Sequence, residues 1–324
     1  MARNYILPKD GNFYKANLHC HSTCSDGKFT VEKLKELYKE KGYSIIAFSD
    51  HNELIPHNEL RDEDFLPITS LEVNFDEPFS REKPEYSVIS TYHINFFSKD
   101  PNRSEFIDFD RVYDLENIKD IIHRANEAGF LVQYNHPRWS YQTVNDFCDL
   151  DGLFGFEILN YGCETEMFNG WSEHEYDCYC RSGMRAAAIA TDDNHNLCMD
   201  INSPYNDSFG GWTMIKAPSL SYDDIMGALE RKECYASSGP VIHELYVDAE
   251  DGKETIHISC SGVKSLCVIT ESRHVSMKRA NDDSITSHDV TFDLGHKFYR
   301  IECVDSMGRK ALTRAFWADE FVRG

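Results

Sequence analysis

The sequence predicts an α/β chain built on a mainly parallel sheet or barrel, followed by a small antiparallel β-sandwich domain. Three observations lead there. The first two-thirds alternates strand-length apolar runs with amphipathic stretches. After "YASSGPVI" (235–242) the helical periodicity stops and short alternating runs take over. His, Asp and Glu also recur at or near the carboxyl ends of successive runs, where parallel α/β folds place their sites.

The runs rich in β-formers are 16–21, 44–50, 66–73, 88–97, 131–135, 153–158, 186–192 and 212–216. Between them lie helix candidates. Thr30 can cap 31–41, with Leu34, Leu37 and Tyr38 on one face and Gly42 as the stop. Asp114 can cap 115–128, where Ile118, Ile121, Ile122 and Ala125 form a stripe before Gly129. Ser221 and Asp224 start 222–232 like a capping box. From about 243 to 318 the runs HELYVDA, TIHISCS, SLCVITE, DVTFDL, KFYRIECVD and ALTRAFW are separated by turn residues such as Asp251-Gly252. The expected division is therefore a catalytic-size unit over 1–240 and a β-sandwich accessory unit over 241–324.

Composition narrows the function classes. The 324 residues carry 33 Lys plus Arg against 55 Asp plus Glu, a formal charge of −22. Such a field repels long polyanions, so a bulk nucleic-acid partner is not expected. A small anionic substrate is still compatible, because bound cations reverse the local potential. The first residues, "MARNYILPKDG", show no apolar leader core, and no run of about 18 apolar residues predicts a membrane span. A cytoplasmic location follows as the expectation, with the 11 scattered cysteines as free thiols. Oligomeric state is not readable.

The stretch "NLHCHSTCSDG" (17–27) opens the chemical argument. On a strand, residues two apart share a face, so His19 and His21 point together while Cys20 points away. Asp26 follows in the next loop. The later runs add Asp50-His51, Glu72, His93, His136 and the pair Asp193 and His195. Burying one such group unpaired costs several kcal/mol. Nine around one mouth are tolerable only if cations compensate them.

In order, "HCHSTCSDG", "FSDHN", "SLEV", "YHINF", "NHPRW" and "TDDNH" resemble the signature of the PHP (polymerase and histidinol phosphatase) family, over about residues 14 to 240. The resemblance implies a distorted (β/α)7 barrel and a centre of two to three divalent ions, zinc, manganese or iron. It implies His19, His21 and Asp193 on a first metal, and Glu72 bridging it to a second completed by His93 and His136. Asp26, His51 and His195 would hold a third. A narrower likeness, in "GFEILN", "ATDDNH" and "ECYASSGPVI", points to the carbamate-hydrolase-like branch.

The implied activity is metal-dependent hydrolysis of a small phosphorylated substrate by a metal-bridging hydroxide. Alternatives are hydrolysis of carbamate, ester or amide bonds, a short-oligonucleotide exonuclease, or a binding module without catalysis. Arg138 is expected to grip an anionic oxygen. Asp50 and Asp192, beside ligands, are expected to orient imidazoles or shuttle protons. Glu157 and Asn160 are expected to line the substrate pocket. Trp139 could shape a pocket or belong to local core. His57, His123 and His174 read as surface groups.

Overall fold

The computed structural model describes residues 2–77, 90–250, 252–293 and 295–322. Its strands begin with β1 (Ala2–Tyr5), β2 (Asn12–Cys20), β3 (Ile45–Phe48), β4 (Leu66–Asp76) and β5 (Thr91–Ser98). They continue with β6 (Phe130–Tyr134), β7 (Gly155–Asn160), β8 (Ala187–Thr191), β9 (Trp212–Ala217) and β10 (Cys234–Ser237). The C-terminal part adds β11 (Ile242–Glu250), β12 (Lys253–Val263), β13 (Ser265–Thr270) and β14 (Ser276–Arg279). After these come β15 (Ile285–Asp293), β16 (Phe298–Val304), β17 (Lys310–Thr313) and β18 (Phe316–Trp317). The expected strand at 88–97 starts on residues 88 and 89, which lie outside the described residues.

The three expected helices form with their caps. Thr30 Oγ1 accepts from Lys33 N at the start of α1 (Val31–Glu40). Asp114 accepts from Glu116 N and Asn117 N ahead of α2 (Leu115–Glu127). α2 buries Ile118, Ile121, Ile122 and Ala125 completely. Each of those isoleucines contributes roughly 1.5–3 kcal/mol of transfer free energy. Three further helices have no legible helical pattern in the sequence: α3 (Val144–Phe147), α4 (Tyr161–Met167) and α5 (Glu173–Arg181). In α5 the buried face is made by Tyr176, Tyr179 and Cys180. The two tyrosine hydroxyls donate to Ala186 O and Leu150 O, so residues that read as half-polar are core. The last helix, α6 (Tyr222–Glu230), is capped by Ser221, whose hydroxyl accepts from Asp224 N.

The architecture is mixed α/β. The larger sheet has the order β14-β13-β16-β17-β10-β9-β2-β3-β4-β5-β6-β7-β8. Two triplets, β2-β3-β4 and β6-β7-β8, are parallel. The expectation of a mainly parallel sheet needs one correction: β5 runs against both β4 and β6, and β9 runs against β2. Strand–helix alternation reports which elements exist, whereas strand direction depends on which end of the sheet each connection returns to. At the far side, β8 comes back towards β2. Asp193 N donates to His19 O at 2.9 Å and His21 N to Asn194 O at 3.2 Å.

The C-terminal strands make two layers. One is a separate sheet, β1-β11-β12-β15; the other, β14-β13-β16-β17, is continuous with the larger sheet through β10. Leu245, Val247, Ile256 and Ile258 of the first pack with Leu266, Val268 and Ile301 of the second in one core. Residues Ala2–Tyr5 pair with Tyr246–Ala249, so the chain's first strand belongs to the C-terminal layer. Arg300, buried in β16, makes a two-pronged ion pair with Asp177 of α5 at 2.7 and 3.0 Å. All 11 cysteines are free, and no described helix is long and apolar enough to cross a membrane.

Candidate metal centre

The nine residues with ligand chemistry come together at one rim. β2 ends on Cys20, with His19 inside it and His21 immediately after. Both rings are fully buried, as is Cys20 on the opposite face. Glu72 lies at the centre, with carboxylate oxygens 3.2 Å from His19 Nε2, 3.3 Å from His21 Nε2 and 3.1 Å from His51 Nδ1. It also reaches His93 Nδ1 at 2.9 Å and His136 Nε2 at 3.6 Å. Asp193 Oδ1 lies 3.1 Å from His19 Nε2 and 3.0 Å from His21 Nε2. Asp26 approaches from the more exposed side, 3.5 Å from His195 Nε2 and 3.9 Å from His51 Nε2.

Four overlapping sets emerge: His21, Asp26, His51 and His195; His19, His136 and Asp193; His19, His21 and Glu72; and Glu72, His93 and His136. Within each set the donor atoms lie within 4.8 Å of one another. These distances suit divalent ions bound by imidazole and carboxylate at about 2.0–2.2 Å. The strongest sign of fit is polar atoms that protein alone does not satisfy. His21 Nδ1, His51 Nδ1 and Asp193 Oδ1 are buried without a hydrogen-bond partner. His19 Nε2 and His21 Nε2 are 3.2 Å apart, an arrangement two protonated rings hold poorly. Two of the nine also sit at left-handed backbone positions, His136 at φ 24° and Asp193 at φ 49°. Such strain in non-glycine residues gathers at functional sites.

The charges inside the cluster are tightly coupled. Burial opposes a charged His19 ring, but Asp193, Glu72 and Glu157 outweigh it and raise its pKa well above the usual imidazole value. Burial likewise opposes charge on His21, whose pKa is nonetheless pushed up to about 9 by Asp193 and Glu72. Glu72 and Asp193 are buried too, yet the rings hold both carboxyls well below their ordinary range. His51 goes the other way, its pKa lowered by burial.

Opposite pH dependences follow. In chelator-stripped protein, the pairing of protonated His21 stabilises the fold below pH about 6.5 and is lost as pH rises towards 9. Ion binding requires the unprotonated ring, so stabilisation by a divalent ion grows over that same window. The difference in Tm with and without metal is expected to widen from pH 6.5 to 9; a constant difference would contradict the pairing described.

Glu157 is fully buried behind the cluster rather than in the substrate cavity. One oxygen lies 3.1 Å from His19 Nδ1 and accepts from Thr191; the other accepts from His136 N and from Asn160 Nδ2, each at 2.9 Å. Asn160 also donates to Asp193 Oδ2 at 2.9 Å, and its carbonyl caps α4. Both therefore brace residues of the cluster rather than lining the cavity, where they were expected. Asp50, expected to orient an imidazole or shuttle protons, instead holds a loop. Its carboxylate accepts from Ser22 N, Ser22 Oγ and Ser25 Oγ, fixing the loop that joins His21 to Asp26. Asp192 accepts from Tyr38 Oη and from the backbone N–H groups of Phe209, Gly210 and Gly211. Burial raises it to about 7 against those bonds; neither carboxylate makes a hydrogen bond to an imidazole among the described residues.

A cavity of about 570 Å³ opens over the cluster, within the usual range for small-molecule sites. Trp139, Thr165, Glu166, Leu197, Tyr205 and Asp207 shape its outer wall. Trp139 Nε1 donates to Glu166 at 2.9 Å, which settles this aromatic as pocket wall. No Lys or Arg lines this cavity among the described residues. Arg138 is turned aside: its guanidinium donates to Trp171 O at 2.9 Å and lies 3.9 Å from Glu175. Arg138 is exposed while its neighbours Pro137 and Ser140 are buried, so adjacency to His136 in sequence does not put Arg138 beside the cluster in space. Glu166 and Asp207 escape a reading of the sequence because they sit on segments with no motif of their own. His57, expected at the surface, is buried against Phe48; His123 and His174 are exposed as expected.

The fold and the clustered rings and carboxylates define an α/β protein with side chains able to hold divalent ions gathered at strand ends. Residues 17–164 match the model of the PHP domain. Seven of the nine cluster residues fall inside the match; Asp193 and His195 lie beyond it. Among solved structures, one similar protein comes from Bacteroides vulgatus, described as a two-domain protein containing a predicted PHP-like metal-dependent phosphoesterase. It is 16% identical, with 97% of this chain and 98% of that one covered and a TM-score of 0.48. Another, a candidate metal-dependent phosphoesterase from Bifidobacterium adolescentis, is 15% identical, with 59% and 89% covered and a TM-score of 0.35. No curated protein matches the chain in sequence.

Proposed function

We propose that the chain is a metal-dependent hydrolase acting on a small phosphate ester. The observation that carries this reading is the convergence of nine imidazole and carboxylate side chains on shared points, with donor atoms 2.9–3.9 Å apart. In this reading His19, His21 and Asp193 would hold one ion, Glu72 would be shared with a second held by His93 and His136, and Asp26, His51 and His195 would hold a third. Zinc, manganese and iron all suit such donors. Bound ions would supply Lewis acidity and acidify a water to near neutrality.

The chain's own residues do the rest. Glu157 keeps His19 in one tautomer and orientation. Asn160 keeps Asp193 turned inward. Trp139 and Tyr205 line the approach to the rim. The strands β2 to β9 are read as a distorted (β/α)7 barrel spanning about 1–240, with 241–324 as a β-sandwich joined to it by β1 and β10. A cytoplasmic location and a small anionic substrate complete the proposal.

A second reading, hydrolysis of a carbamate, ester or amide, is favoured by the lack of a lysine or arginine lining the cavity among the described residues. A phosphate dianion would rely on the ions alone. Metal-reconstituted protein assayed on parallel phosphate-ester and carbamate or amide panels separates the two. Turnover of phosphate esters only supports the first; turnover of carbonyl substrates only supports the second; none on either would refute a hydrolase. Arg138→Ala is expected to change kcat/KM by no more than about threefold, as for a surface group away from the chemistry. A hundredfold fall would return Arg138 to the substrate.

A further inference from the structure

Beyond the nine-residue cluster, we infer a separate binding site for one thiophilic divalent ion, made by Cys24, Asp50 and His57. One donor atom from each lies within 4.8 Å of the others. A thiolate, an imidazole and a carboxylate around zinc or cobalt sit about 3.3–3.8 Å apart, given bonds of about 2.0–2.3 Å. A rotation of the Cys24 side chain, which is exposed, can close the remaining gap.

His57 supplies the independent observation. The residue is 7% exposed, and its Nε2 is buried without a hydrogen-bond partner. Its Nδ1 meets only Glu59, at 3.4 Å, and its ring stands edge-on to Phe48 at 5.1 Å. A buried ring nitrogen without a partner has lost its hydration and gained nothing in return. Ligation removes that cost.

Asp50 is 1% exposed and held in place by three donors. Oδ2 receives only the Ser22 hydroxyl, at 2.7 Å, and so retains a lone pair. The Ser22 hydroxyl in turn accepts from Cys24 N at 3.1 Å. The loop is thus folded so that Cys24 faces the same carboxylate its neighbours bind. Three protein donors with one exposed member leave an open fourth position, accessible from solvent. An ion here would tie the loop that carries Asp26 to the strand end that carries His51, without sharing a donor with either.

The probe is Co²⁺ added to chelator-stripped protein, read by the thiolate-to-cobalt charge-transfer absorption in the near ultraviolet. The site predicts this band in the unaltered chain and its loss in Cys24→Ser and in His57→Gln. It also predicts that a folded His93→Ala variant keeps the band, since His93 belongs to the larger cluster only. Absence of the band in the unaltered chain would overturn the inference. So would its survival in Cys24→Ser, which would assign it to another thiol such as Cys163 or Cys198 on the cavity wall. Survival in His57→Gln would reduce Cys24 to an adventitious surface thiol, and loss in folded His93→Ala would merge the site with the larger centre. The band is independent of turnover, so failure of the hydrolase reading and failure of this site are distinguishable. As a second readout, Zn²⁺ is expected to slow alkylation of Cys24, with no protection counting against the site.

Discussion

Glu72→Gln is expected to abolish measurable hydrolysis and to weaken divalent-ion binding by more than about a hundredfold, the upper end for residues that merely support ligands. The reason is position. One carboxylate lies within 3.6 Å of five imidazoles, and Asn135 donates to it at 2.9 Å. The amide keeps the shape and removes the charge that balances those rings. It also turns an NH2 group towards ring nitrogens that must stay unprotonated to bind ions. The rings would then lose protons more easily in stripped protein, since Glu72 is among the groups that raise His19 and His21. Ion content by elemental analysis, with far-UV circular dichroism to establish folding, decides the matter. A folded variant that retains its ions and its rate would remove Glu72 from the centre.

Glu157→Gln is expected to lower ion affinity by about 10–100-fold, with a parallel fall in kcat. Glu157 does not reach the cavity. It accepts from four donors at once: His19 Nδ1, Thr191 Oγ1, His136 N and Asn160 Nδ2. A glutamine can accept at only one end, so its NH2 must face donors and leave at least one buried N–H unpaired, at about 1–3 kcal/mol. His19 loses the partner that sets its tautomer, and His136 loses the anchor of its left-handed turn. This variant distinguishes a positioning role from pocket lining: lining would change KM for substrates of different shape and leave ion affinity alone. An unchanged ion affinity would sink the positioning role.

Much of the site is legible in the amino-acid order alone. The HxH pair works because the two-residue period of a strand is strict; His19 and His21 share a face and Cys20 turns away. The helix caps at Thr30, Asp114 and Ser221 are legible because capping is local chemistry between neighbours in sequence. α4 is not, since "YGCETEM" has no apolar stripe, and α5 hides its core face in tyrosines whose hydroxyls find carbonyls only after folding. The functional assignments of Arg138, Asp50 and Asp192 rested on adjacency to expected ligands. Adjacency along the chain says little about aim once the backbone turns through φ 24° at His136 or 49° at Asp193.

Donor types, their order and their placement near strand ends are written in the chain itself, because side-chain alternation and capping act over a few residues. Strand direction and side-chain aim arise only when the elements assemble. His93 illustrates the difference. It is the third residue of Thr91–Ser98, near the wrong end for a parallel strand, yet it stands opposite Asn74 because β5 is antiparallel to β4. The reversal brings its ring to 2.9 Å from Glu72. Which carboxylates join the imidazole cluster and which brace loops is likewise set by donors far away in sequence: Phe209, Gly210 and Gly211 for Asp192, and His19 and His136 for Glu157. Such partners are chosen by how the sheet closes on itself, a long-range property that no local pattern carries.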